Sequence, residues 1–361
     1  MFFFTVFFTN NEYNNLKYLH LYFNQNITSK QQLRIPELEE CILLNKEDLS
    51  EMDFDVNCNS IIDFSSSKKM KILKVPVDDF VLIKNFNSIE NVTLNSSKDI
   101  SKETEIKMLE KILSIKNLDF ISFNLYKINI NEILKIKGQN SYVTKINIYY
   151  NYENEDISLF DLDYKFPNLS DIFLSIHDNH LTGVPINLEI KENSNCKINK
   201  LTLVGYGKKN VKMCIQSYET LIKFEINRIY EIINLKDSFP IFNDKPSVIF
   251  KSLIEFIFIN YNRKGITYNI LNNIYNNIDN MPNLKKFTLV CYSKEIDEFF
   301  YNKLIKKILR LNLDSIWLQI TNNKNIKDNE IKTKGYYKLD ELKELFPDLN
   351  LNNKNIQIKK L

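Results

Sequence analysis

A three-point apolar beat, L-x-x-L-x-L, recurs along the chain about every 27 residues. It reads Leu16–Leu19–Leu21, Leu38–Cys41–Leu43, Met70–Leu73–Val75, Ile89–Val92–Leu94, Leu118–Ile121–Phe123 and Val143–Ile146–Ile148. It continues as Leu169–Ile172–Leu174, Ile198–Leu201–Leu203, Leu221–Phe224–Ile226, Leu253–Phe256–Phe258, Leu284–Phe287–Leu289 and Leu313–Ile316–Leu318. Alternation over the last three positions of each beat predicts a strand with one buried face. A single match means little in a chain this apolar; the spacing carries the weight, above all the gaps of 32, 31 and 29 from Leu221 to Leu313.

The segments between beats supply an independent sign. Ser101 opens a helical stretch with Glu103 and Glu105 in its first turn, where acids favour the helix dipole, and Ile106, Leu109 and Leu113 follow at helical spacing. Ile270, Ile274 and Ile278 form a second stripe. Ser293 opens a third helix with Ile296, Phe300, Leu304 and Ile308 on one face, and Leu339, Leu342 and Leu345 mark a fourth. Strand and helix alternating at this period predict a stacked α/β solenoid, each unit burying its apolar face against its neighbours.

The chain resembles the leucine-rich-repeat family in its irregular, long-repeat form, similar to ribonuclease inhibitor and F-box substrate receptors. The resemblance rests on the beats and on three strand lead-ins: Phe166-Pro167-Asn168-Leu169, Met281-Pro282-Asn283-Leu284 and Phe346-Pro347-Asp348-Leu349. It spans Leu16 to Leu351 and is densest over residues 160–350. The Asn or Cys expected three places after the third apolar residue is mostly missing, Asn24 and Asn151 excepted. The resemblance implies one horseshoe over residues 1–361, with parallel strands on the concave face and helices or loops on the convex face. Residues 46–69 read as an irregular insertion or degenerate repeat, and 321–361 as a loop followed by a capping repeat.

Composition narrows the partners. The 48 basic and 45 acidic residues give a formal charge of +3, no argument for nucleic acid or an anionic membrane surface. No apolar run reaches membrane-spanning length. Five scattered cysteines without C-x-x-C spacing argue for a reducing compartment, so a cytoplasmic protein is expected. The chain has no alanine and only six glycines amid abundant Asn, Ile and Lys, the mark of an AT-rich genome. Asn and Lys therefore carry less weight in any motif.

Candidate chemistry is thin. His177 and His180 are the only histidine pair, and a metal or enzyme site would centre there, but no third ligand is apparent. Gly205-Tyr206-Gly207-Lys208-Lys209 lacks the glycine spacing and the Lys-Ser/Thr of a phosphate loop. We expect no cofactor, no metal and no enzymatic activity.

The remaining signal is the row facing away from the core. If the first, fourth and sixth positions of each beat point inward, the third and fifth face the hollow. Those positions offer Tyr18, Phe120, Lys145, Phe173, Lys200, Lys223, Glu225, Ile257, Lys286 and Trp317 as partner-binding residues. Such a mixture of aromatic anchors and charges of both signs suits a protein partner. Trp317, the only tryptophan, is either the principal anchor or is covered by residues 321–361. The expected function is a protein-interaction scaffold. A ubiquitin-ligase substrate receptor is the alternative, although strand-like sequence stands near Met1 where a helical F-box would precede the repeats.

Overall fold

The computed structural model describes residues 13–23, 33–45, 62–83, 88–96, 99–128, 130–150, 157–158, 160–177, 186–190, 198–206, 210–215, 221–227, 231–232, 252–260, 268–293, 296–311, 313–321, 335–349, 351 and 355–360. Contacts divide the chain into two units, residues 1–152 with 161–169, and residues 153–160 with 170–361.

In the first unit, β1 (Tyr18–Phe23), β2 (Glu40–Asn45), β3 (Ile72–Pro76), β4 (Asn91–Asn95), β5 (Phe120–Leu125) and β6 (Lys145–Tyr150) lie side by side in chain order. Every neighbouring pair is parallel. Chain order without reversal requires each strand to be followed by a return segment on the core side. Those segments include α1 (Val77–Leu82), α2 (Lys102–Ser114), α3 (Phe160–Lys165, all but its first residue in this unit) and a 3-10 helix at Ile130–Lys135. Residues 62–69 lie on this side too. Ile62 bridges Leu33, and Ser67 Oγ donates to the Ile35 carbonyl at 2.9 Å.

The second unit repeats the plan with β8 (Asp171–His177), β10 (Lys200–Tyr206), β12 (Lys223–Asn227), β14 (Glu255–Asn260), β15 (Lys286–Tyr292), β16 (Ser315–Thr321) and β17 (Asn355–Ile358), again parallel and in order. Its return segments hold α4 (Tyr268–Asn277), α5 (Glu298–Arg310) and α6 (Leu339–Leu345). They also hold a second parallel sheet, ordered β13-β11-β9-β7, built from β7 (Ile157–Ser158), β9 (Ile186–Ile190), β11 (Asn210–Ile215) and β13 (Glu231–Ile232). The expectation of helices or loops behind the ladder is therefore corrected here, because four successive return segments pair with one another as strands.

The apolar beats form the core. All their residues are buried except Leu16, Leu21 and Ile198, which are half-buried. The register stacks like on like: Leu73 faces Val92, Val92 faces Ile121 and Ile121 faces Ile146. In the second unit Phe224, Phe256 and Phe287 line up, with ring centroids 6.1 and 5.8 Å apart. β17 is a rung without a full beat; Ile356 and Ile358 continue the Ile316 and Leu318 columns, but Asn353 stands where the first apolar residue belongs.

Two local devices set the repeat. The proline lead-ins are closed turns: the amides of Leu169, Leu284 and Leu349 donate to the carbonyls of Phe166, Met281 and Phe346 at 3.0, 3.1 and 3.1 Å. Ile35-Pro36-Glu37-Leu38 is a fourth, at 3.2 Å. Proline presets the backbone angle of the second turn position, and the buried residue before it anchors the turn in the core. The second device is a backbone ladder. The residue after each turn offers its carbonyl to two successive amides of the next repeat, as Lys17 does to Glu39 and Glu40 and Ile254 to Lys285 and Lys286. Among the described residues ten carbonyls do this, at 2.7–3.2 Å. Main-chain groups thus hold neighbouring repeats together; Asn24 and Asn151, where the sequence keeps the expected asparagine, lie outside the described residues.

Two helix readings need correction. Asp297, not Ser293, caps α5, its carboxylate accepting from the Phe300 amide at 2.7 Å. In α6 only Leu342 points inward; Leu339 and Leu345 are 41% and 49% exposed, because Leu342 and the following Phe346 make the buried contact instead.

Candidate binding face

The strand face opposite the core carries the third and fifth positions of each beat. In the first unit Tyr18 is 59% exposed, Phe120 is half-buried and Lys145 is exposed, 3.7 Å from Asp119. His20 Nε2 meets Glu40 Oε1 at 2.6 Å across the β1–β2 pair. Ile42 and Ile72 add apolar surface on β2 and β3.

In the second unit the charges pair along the row. Lys200 Nζ lies 3.1 Å from Asp171, and Lys223 Nζ lies 3.4 Å from both Glu225 and Glu255. Parallel register places Lys200 beside Asp171 and Lys223 beside Glu255 on adjacent strands about 4.8 Å apart, while Glu225 stands two residues along from Lys223 on β12 itself. Lys286 follows Glu255 in register and is exposed. Phe173, Ile257 and Trp317 stand half-buried in the fifth-position row, on β8, β14 and β16. Ion pairs of this kind, half-buried at Lys223 and open to solvent at Lys200, contribute little stability and are screened by salt, so the apolar side chains between them are the larger source of contact energy.

The accessible face is narrower than the strands. One step further along the same parity, Ser175, Val204 and Val290 are buried. Trp317 has its Nε1 buried without a hydrogen-bond partner among the described residues. β17 adds a rung beside it, Gln357 in register with Trp317, and Tyr336 Oη meets Gln319 Oε1 at 3.1 Å two residues on.

His177 is the last residue of β8, in register with Tyr206, and His180 lies outside the described residues. Gly205 and Tyr206 belong to β10, and residues 207–209 lie outside the described residues. Among the described residues no group of three His, Cys, Asp or Glu side chains could hold a metal ion. Cys41 and Cys291 are buried, and burial pushes both thiols well above the ordinary range, as expected of inert core groups.

The polar residues with the most specific geometry sit on the core side of the first unit. Glu105 is fully buried, its carboxylate accepting from the amides of Tyr126 (2.7 Å), Lys127 (3.1 Å) and Ile128 (2.8 Å). Glu105 does stand in the first turn of α2, as its position after Ser101 predicts, and its side chain also turns inward to hold the segment after β5. Asn140 Nδ2 donates to the carbonyls of Ile112 and Ile115 at 2.8 and 2.7 Å, closing the C-terminus of α2. Lys111 Nζ donates to the carbonyls of Phe80 (2.7 Å), Val81 (2.9 Å) and Ile83, closing that of α1. Burial lowers the Lys111 ammonium to about 8. Lys165 Nζ likewise reaches the carbonyls of Ile136 and Gly138. Each reaches back about one repeat. With six glycines in the chain, helix ends cannot rely on glycine caps, and long side chains of the following repeat take the carbonyls instead. The sequence shows these residues only as common Lys, Asn and Glu; the signal is that Lys111, Asn140 and Lys165 follow the carbonyls they bind by some 25 to 31 residues, while Glu105 precedes the amides it accepts from by 21 to 23.

The geometry defines a class: an α/β repeat ladder of parallel strands with one face open. No helix among the described residues is long and apolar enough to cross a membrane. Comparison with family models, curated proteins and solved structures finds no match to this chain.

Proposed function

We propose that this chain is a divergent solenoid of the leucine-rich-repeat type that binds a protein partner on the open face of its strands. The observation that carries the reading is the row Phe173, Ile257 and Trp317, apolar side chains set between internally paired charges on parallel strands. Because those charges neutralise one another, the face favours a partner of mixed character over a strongly charged one, and buried apolar contacts supply its affinity.

Affinity capture from the native cell with mass spectrometry tests this. The double variant Phe173→Ala, Ile257→Ala should reduce recovery of specific partners about 30-fold, as loss of anchor residues does, without moving the thermal unfolding transition. Phe299→Ala, at a residue of α5 that is 68% exposed, should leave recovery unchanged. The reverse pattern, partners lost with Phe299 and kept by the double variant, overturns the reading.

A further inference from the structure

We propose that Lys111 is a latch through which α2 holds α1, making Val77–Ile83 a strap that opens by itself while the strands beneath stay paired. Left alone, α1 has little to sustain it. Six residues fall well short of the length at which an isolated helix is stable. Its N-cap, Pro76, makes no side-chain hydrogen bond, and its C-cap, Ile83, is extended. The Phe80 carbonyl takes a long 3.3 Å bond from the Ile83 amide, and the Lys111 ammonium donates to it and to the carbonyls of Val81 and Ile83, three N–H groups for three acceptors, 5.3 Å from the Phe80 ring centroid.

α2 is built differently. It runs for 13 residues, is capped by Ser101 Oγ on the Thr104 amide at 3.0 Å, and has its own C-terminal carbonyls held by Asn140. Glu105 ties its first turn to the segment after β5. The coupling energy between the two helices is shared equally, but their independent stabilities are not. Opening α2 removes the cap of α1, whereas opening α1 leaves every cap of α2 in place. An open strap uncovers Val77 and Phe80, both buried when it is closed.

Amide hydrogen exchange on the full chain tests the latch. Lys111→Met keeps the apolar stem and removes the donors. It should lower protection of the amides of α1 and Ile83 at least about tenfold while β3, β4, β5 and α2 keep theirs. Val81→Gly, at a half-buried position, weakens α1 directly and should open the same amides without affecting α2. Unchanged protection at α1 in Lys111→Met overturns the proposal. So does an equal loss across α2 and the strands, or a loss in α2 on Val81→Gly.

Discussion

Phe256→Ala is expected to destabilise the second unit by about 3–5 kcal/mol, the usual range for emptying a buried phenylalanine site. Phe256 has no exposed surface and is flanked by Phe224 on one strand and Phe287 on the next. Both neighbours are held by a backbone ladder that spaces the strands, so they cannot close over the cavity. Repeats are coupled chiefly to their neighbours, so the loss should concentrate at β12, β14 and β15. Urea titration should show an earlier transition, and hydrogen exchange should place the weakened amides on those three strands. Phe299→Ala, equal in chemistry but at an exposed site, should change stability by less than about 0.5 kcal/mol. Equal effects at the two sites would contradict the burial argument.

Glu105→Ala should cost the first unit about 3–5 kcal/mol, because it empties a fully buried side-chain site and leaves the buried Ile128 amide and the partly buried amides of Tyr126 and Lys127 without their acceptor. Glu105→Gln separates shape from acceptor count. A carboxamide has one acceptor atom, and its NH2 would face an N–H, so about 1–3 kcal/mol should be lost with the volume kept. The charge also imposes a pH dependence. Burial raises the Glu105 carboxyl above its ordinary value, with the three amides pulling the other way. In the window upward from about 4.5 the folded state therefore holds more protons than the unfolded state, and this group's contribution falls as pH rises. Equilibrium unfolding at successive pH values should show that slope in the parent protein and lose it in the Gln variant. An unaltered slope would assign it to other groups.

Much of the ladder is legible in the sequence because burial on a strand is local and periodic. Leu73, Val92 and Ile121 declare their face by the residues on either side, whatever stands next to them. Alternation fails where a rung lacks the apolar residue, as at Asn353 before β17, and where a short helix such as α6 turns on Leu342 and Phe346 while leaving Leu339 exposed. The candidate face was legible for the same reason, since its residues are the complement of the core positions. Its width was not: Ser175 and Val204 share the parity of Phe173 and Thr202 yet are buried.

What the sequence determined by itself, then, is the beat: which residues enter the core, that strands alternate with return segments, and where proline turns lead into them. What only the tertiary structure decided is whom each polar group meets. The double use of one carbonyl per repeat leaves no trace in residue type, since every amino acid has that carbonyl. Lys111, Asn140 and Glu105 look like surface residues until the neighbouring repeat is in place, because their acceptors and donors lie some 21 to 31 residues away. Hydrophobic burial needs only an inside, which periodicity marks along a single strand. A hydrogen bond needs a particular partner at a particular distance, and that exists only once one repeat has been laid against the next.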